Sequence, residues 1–179
     1  MMQAENDAVL DEGDQGISEA DARSVHPPVR DIRDMISFRL SNLVAANDRV
    51  GQGWMQTRFG LSLNEWRVLG LTYALEPVIV SDIKNILHID KGQLSRVIKS
   101  MVERGHILSE PRSEDQRFTE LRMTARGLAL HQKMLAYSTK RNRTVLEGLT
   151  AQEAHELFRL LDKIRAGIEQ RLSVLEAGQ

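Results

Sequence analysis

Leu87-His88-Ile89-Asp90-Lys91-Gly92-Gln93-Leu94-Ser95-Arg96-Val97-Ile98-Lys99-Ser100-Met101-Val102-Glu103-Arg104-Gly105 contains a helix with both ends written into it. Asp90 stands where a side-chain oxygen can accept from the first free N–H groups, with Gln93 three residues on, as in a capping box. Leu94, Val97, Ile98, Met101 and Val102 recur at i, i+3, i+4, i+7 and i+8, the spacing of one helical face. Gly105 supplies the stop. Just upstream, Ser81 can cap a short helix containing Ile83, Ile86 and Leu87, and His88, Ile89 and Asp90 leave a turn of three residues between the two. A short helix, a tight turn and a second helix make a helix-turn-helix.

Outward from this pair, the period changes. Ile107-Leu108 and then Phe118, Leu121 and Met123 flank the polar run Arg112-Ser113-Glu114-Asp115-Gln116-Arg117, which predicts a hairpin of two short strands. Thr124 can cap a following helix that carries Leu130, Met134 and Tyr137. The Thr150/Glu153 capping box opens a last one, whose Leu157, Leu161, Ile164, Ile168, Leu172 and Leu175 recur in steps of three and four. On the N-terminal side, Ser62/Glu65 begins a helix with Leu63, Trp66, Leu69 and Tyr73, closed by Pro77. Before it, Val29, Ile32, Ile36, Leu40, Leu43 and Val44 predict a helix from about Pro28 to Val50, ended by Gly51 and Gly53.

The expected fold is mainly α with a small β-hairpin wing: a winged helix-turn-helix between N- and C-terminal dimerisation helices. The expected divisions are a disordered acidic tail (1–24), an N-terminal dimerisation helix and loop (25–60), the winged helix (61–126) and C-terminal dimerisation helices (127–179). The tail reading follows from seven acids against Arg23 alone, with no apolar period to offset the entropy of ordering.

Composition removes several classes of function. The 179 residues hold no cysteine, which excludes disulfides, thiolate metal sites and cysteine nucleophiles. No apolar run reaches the ~18 residues of a membrane span, so the expected setting is cytoplasmic, with no membrane partner. His26, His88, His106, His131 and His155 are scattered with no i, i+4 pair, and no glycine-rich phosphate loop follows a strand. We therefore expect no catalytic residues, no metal and no cofactor. Eight aromatics (Phe, Tyr and Trp) in the chain argue against base stacking as a binding mode.

The polar face of the second helix points to double-stranded DNA. Gln93, Ser95 and Arg96 are short or forked donors suited to base edges in a major groove, and Lys91 and Lys99 suit phosphates. Arg112 and Arg117 border the hairpin turn, where a guanidinium can enter a narrow minor groove. Ser81 opens the preceding helix and joins this set. The charge footprint is modest, since residues 81–126 hold nine basic against seven acidic residues.

The residues also carry a family resemblance. The 87–96 stretch above, Glu103-Arg104-Gly105, Asp115-Gln116-Arg117 and Met123-Thr124-Ala125-Arg126-Gly127 resemble the MarR-type (multiple antibiotic resistance regulator) transcription factors over about residues 30–175. The resemblance implies a homodimeric regulator that binds a pseudo-palindromic operator, usually as a repressor, and is released by a small ligand that is often an aromatic or phenolic acid. It assigns Ser95 and Arg96 to the recognition helix, Asp115 to bracing an arginine, and Arg117 to the minor groove. Gln116 departs from the pattern, because many relatives carry a basic residue there. The ligand pocket it implies would draw on Arg39 for a carboxylate, and on Trp54 and Trp66 for flat apolar walls. The alternative reading is a winged-helix protein-interaction module without specific DNA binding, docking through the hairpin and last helix. Strong salt dependence of DNA binding separates the two.

Overall fold

The computed structural model describes residues 27–112 and 115–177, with side chains to residue 175. The acidic tail expected over 1–24 lies outside the described residues, as do Ser113 and Glu114 of the wing. The chain divides into two compact units, residues 1–54 and 55–179.

In the first unit, Pro27 to Arg30 have no regular structure and a single 3-10 turn, Ile32–Asp34, precedes the first helix. Asp31 caps that turn, its side chain accepting from the Arg33 N–H at 2.8 Å. Helix α1 spans Ile36–Phe59. It begins later than the sequence suggested, and it runs through Gly51 and Gly53 rather than ending at them. A glycine inside a helix costs about 1 kcal/mol, which a continuous helix of 24 residues can absorb. The stop is Gly60, whose φ of +61° suits a residue without Cβ and whose N–H bonds to the Gln56 carbonyl at 3.0 Å. Trp54 accordingly sits within helix, not in a loop.

The second unit contains helix α2 (Leu63–Leu75), strand β1 (Val78–Ile79), helices α3 (Val80–Leu87) and α4 (Lys91–Glu103), strands β2 (Ile107–Pro111) and β3 (Thr119–Met123), and helices α5 (Ala125–Val145) and α6 (Ala151–Ala177). The three strands form an antiparallel sheet in the order β1-β3-β2. In it Ile107 pairs with Met123, Ser109 with Leu121 and Pro111 with Thr119 on one side of β3, and Val78 with Leu121 on the other. The wing is thus a hairpin with a third, two-residue strand at its edge.

Capping explains where the helices start. Ser62 and Glu65 form the full reciprocal box at α2, Asp90 accepts from the Gln93 N–H at 2.8 Å at α4, and Thr124 Oγ1 accepts from the Gly127 N–H at 2.9 Å at α5. Ser81 does not cap α3, because that helix begins one residue earlier, at Val80, with Ile79 as a cap that makes no side-chain bond. His88 ends α3 in the left-handed region (φ 48°), with the Ile89 N–H reaching the Lys84 carbonyl. Leu61, Val68, Leu69, Ile83, Leu94, Met101, Ile107, Leu121 and Met134 are buried and form one core beneath the helix-turn-helix. At Gly127 that core tolerates no side chain: a Cβ there would lie 1.9 Å from the His106 carbonyl oxygen.

Candidate nucleic-acid interface

Helix α4 buries one face and offers the other. Leu94, Val97, Ile98 and Met101 are 0–9% exposed, whereas Lys91, Ser95, Arg96 and Lys99 lie on the open side. The Asp90 cap fixes the first turn, so these side chains leave from a rigid start. A Cβ at Gly92 would stand 3.8 Å from Arg96 Nη1, which places the guanidinium back over that first turn. Lys99 is loosely paired with Glu103 at 3.8 Å, both exposed. Gln93 is half-buried beside the cap.

The wing holds its arginine by a fork. Arg117 Nε and Nη2 donate to the Asp115 carboxylate at 3.0 and 2.8 Å, and the Arg117 N–H adds a third bond at 3.1 Å. The Arg117 hydrogen bonds hold the Asp115 carboxyl below its ordinary range, and the same contact raises the Arg117 pKa. Arg117 remains 86% exposed at its side chain, so the brace fixes its direction without covering it. Arg112 closes the turn from the other strand through its N–H to the Phe118 carbonyl at 2.8 Å.

A cleft of about 540 Å³ opens between α3, the start of α4 and the wing, and Ser81, Lys91, Ser95 and Arg117 all border it. Four of the nine residues predicted for DNA contact therefore meet at one opening, while Arg96 and Lys99 continue along the exposed face of α4. Lys84 and Thr119 border the same cleft and were missed. Lys84 was available in principle, as an exposed position on the short helix of the pair. Thr119 was not, because only strand pairing turns it toward α4.

The residues expected for a ligand are arranged differently. Arg39 bonds to Asp34 at 3.1 Å and, through Nε, to the Arg33 carbonyl at 2.9 Å. It is separated from Trp54 by 15 residues of continuous α1, about 22 Å along the axis. Trp66 stacks on His131 of α5, with ring centres 5.5 Å apart, and Tyr73 stacks on the same imidazole at 4.2 Å. His131 is 4% exposed, its Nδ1 has no hydrogen-bond partner, and burial lowers its pKa. The stack ties α2 to α5.

Beneath the reading face lies a buried carboxylate. Glu65 is 8% exposed; its Oε2 accepts from the Ser62 N–H at 2.7 Å, and its Oε1 accepts from Ser100 Oγ at 2.7 Å and Arg104 Nη1 at 3.4 Å. Burial pushes this carboxyl up, but the bonds from Ser100 and Ser62 and the Arg104 charge outweigh it and leave the pKa below the usual value. No group of three or more His, Asp or Glu residues able to hold a metal occurs among the described residues, and none of their helices is long and apolar enough to cross a membrane.

Comparison with known proteins shows what this geometry is similar to. Residues 59–117 match the MarR family model. A curated relative, an uncharacterized HTH-type transcriptional regulator YdgJ of Bacillus subtilis, is 25% identical over 118 residues, 66% of this chain and 70% of its own. A crystal structure of a MarR/EmrR family transcriptional regulator from Acinetobacter sp. ADP1 superposes with a TM-score of 0.72 at 26% identity, covering 78% of this chain and 99% of that one. A mutant MarR from E. coli complexed with operator DNA shares the fold, with a TM-score of 0.63 at 20% identity over 72% of this chain and 92% of that one. With the capped helix and the braced wing on the page, residues 59–117 are similar to the MarR family of transcriptional regulators, and the fold is the winged helix of its solved members.

Proposed function

We propose that the chain is a homodimeric, sequence-specific DNA-binding regulator of transcription acting in the cytoplasm, a repressor released by a small effector. The observation that carries the reading is the convergence of Ser81, Lys91, Ser95 and Arg117 on one cleft, beside a helix face that offers Arg96 and Lys99. That arrangement combines hydroxyl and guanidinium donors for base edges with lysines for phosphates. The operator-bound neighbour shares the fold that presents them. Arg117, held by Asp115 yet open, is the minor-groove contact, and Arg112 supports the turn that carries it.

The effector is an aromatic or phenolic acid by resemblance; of the expected contacts Arg39, Trp54 and Trp66, the first two lie about 22 Å apart along α1 and do not meet one small molecule within a chain. The effector acts by favouring a spacing of the two reading heads that does not fit DNA. For that, it must bind the free conformation more tightly than the bound one, since equal affinity shifts nothing. No enzymatic role forms part of this reading.

Selection of bound duplexes from a random pool at near-physiological salt tests the function. Wild-type protein is expected to enrich a pseudo-palindrome that Arg96→Ala with Arg117→Ala no longer enriches. Absence of any enriched sequence, with weak salt dependence, would move the chain to the interaction-module reading.

A further inference from the structure

Glu65 lies on α2, away from the open face of α4, and yet half of its bonding capacity is directed at α4. One carboxylate oxygen serves its own helix, accepting from the Ser62 N–H while the Glu65 N–H returns to Ser62 Oγ at 3.1 Å. The other oxygen accepts from Ser100 and Arg104, two residues on the C-terminal part of the recognition helix and its cap. Arg104 Nη1 also donates to the Gly60 carbonyl at 3.2 Å, so the same guanidinium grips the α1–α2 corner. Helix start, corner and recognition helix thus share a single buried anion.

The apolar contacts of α4 do not fix its roll as tightly. Leu94, Val97, Ile98 and Met101 press one stripe on the core, and the burial that holds them there is non-directional. A hydrogen bond at 2.7 Å to a buried carboxylate is directional and charge-assisted. Arg96 and Ser100 lie four residues apart, on adjacent turns of neighbouring faces, so a rotation that moves Ser100 moves Arg96 with it.

We propose that Glu65 is a positioning residue for DNA reading: through Ser100 and Arg104 it sets the roll of α4, and with it which side chains meet base edges. The inference rests on the DNA-binding reading above. It concerns discrimination between sequences, because a rolled helix still brings its lysines near phosphates while its base contacts lose register.

The sign of the effect separates this role from simple electrostatics. Glu65→Gln removes a negative charge from a DNA-binding domain, which by charge alone strengthens binding to every duplex. Positioning predicts the reverse for the operator. Operator affinity should fall by about tenfold, within the range of coupling between contacting residues, while affinity for an unrelated duplex holds or rises.

The experiment measures both affinities at one salt concentration for wild type, Glu65→Gln, Ser100→Ala and the double variant, with thermal unfolding of each recorded alongside. The expected result is a reduced operator-to-unrelated ratio in both single variants, and little further loss in the double, since both remove one link. Ser100→Ala leaves the Ser62/Glu65 box intact, so it gives the answer even where Glu65→Gln folds poorly. A ratio equal to wild type in Ser100→Ala, or losses in the two variants that simply add, would overturn the proposal and reduce Glu65 to a helix cap. A wild-type protein with no sequence preference would instead show that the DNA-binding reading fails, and this inference with it.

Discussion

Helices α4 and α6 carry apolar stripes of the same kind and treat them in opposite ways. On α4, Leu94, Val97, Ile98 and Met101 are nearly inaccessible, covered by α2 and β2. On α6, Leu157, Leu161, Ile164, Ile168, Leu172 and Leu175 are 37–65% exposed. The difference shows that the winged helix completes its own core, while the last helix keeps its apolar stripe open among the described residues. Covering it is worth on the order of 1 kcal/mol for each half-exposed side chain. In the proposed homodimer a second copy would offer the same stripe, and a two-fold axis would set the two face to face.

The sharpest way to break this contrast is to spoil α6 alone. Leu161→Glu with Ile168→Glu should give a folded monomer by light scattering, with operator affinity at least about 100-fold weaker because the two heads no longer bind as one unit. Unchanged mass and affinity would mean that the exposed stripe has no such role. Next in size are the reading residues of the winged helix. Arg96→Ala and Arg117→Ala should each cost about 1 to 3 kcal/mol of operator affinity, with preference relaxed at the positions they meet. Operator titrations with single-base variants check this.

Lys99→Ala should weaken all duplexes alike and reduce the slope of log affinity against log salt by about 1. A loss confined to one sequence would move Lys99 from phosphate to base. The smallest effect is on stability. Burial lowers the pKa of His131, and that of His106 together with the nearby Arg104 and Arg126 charges, so both hold their neutral form to lower pH in the fold than in the unfolded chain, which takes up protons below about 6.5. The unfolded state then binds more protons, and stability falls as the pH drops below that value. Denaturant titrations of His131→Phe across this range should show a shallower pH dependence than wild type, and an unchanged slope would remove His131 from the account.

How much of this was legible depended on how local each cause is. Helix α4 and its cap could be read because Asp90, Gln93 and the apolar stripe lie within one stretch, and the Ser62/Glu65 and Thr124 caps for the same reason. Strand β1 was missed because two residues carry no alternation, and its partner Leu121 lies far along the chain from Val78. From sequence, Gly51 and Gly53 look like a stop, since no sequence rule separates a helical glycine from a terminal one until φ is known. Gly60, with positive φ, does the stopping. The bonds from Glu65 to Ser100 and Arg104 span 35 and 39 residues, so the sequence showed only its capping half. The Asp115–Arg117 brace is two residues long and could be anticipated from the motif.

In the proposed regulator, one self-contained reading head is doubled through the open stripe of α6. This doubling is tested most directly by the mass of the protein–operator complex in solution, measured by light scattering with a duplex selected from the random pool. The account predicts two copies per duplex, with half-sites about 34 Å apart, one turn of DNA. One copy per duplex, bound as tightly to an isolated half-site as to the full site, would contradict it.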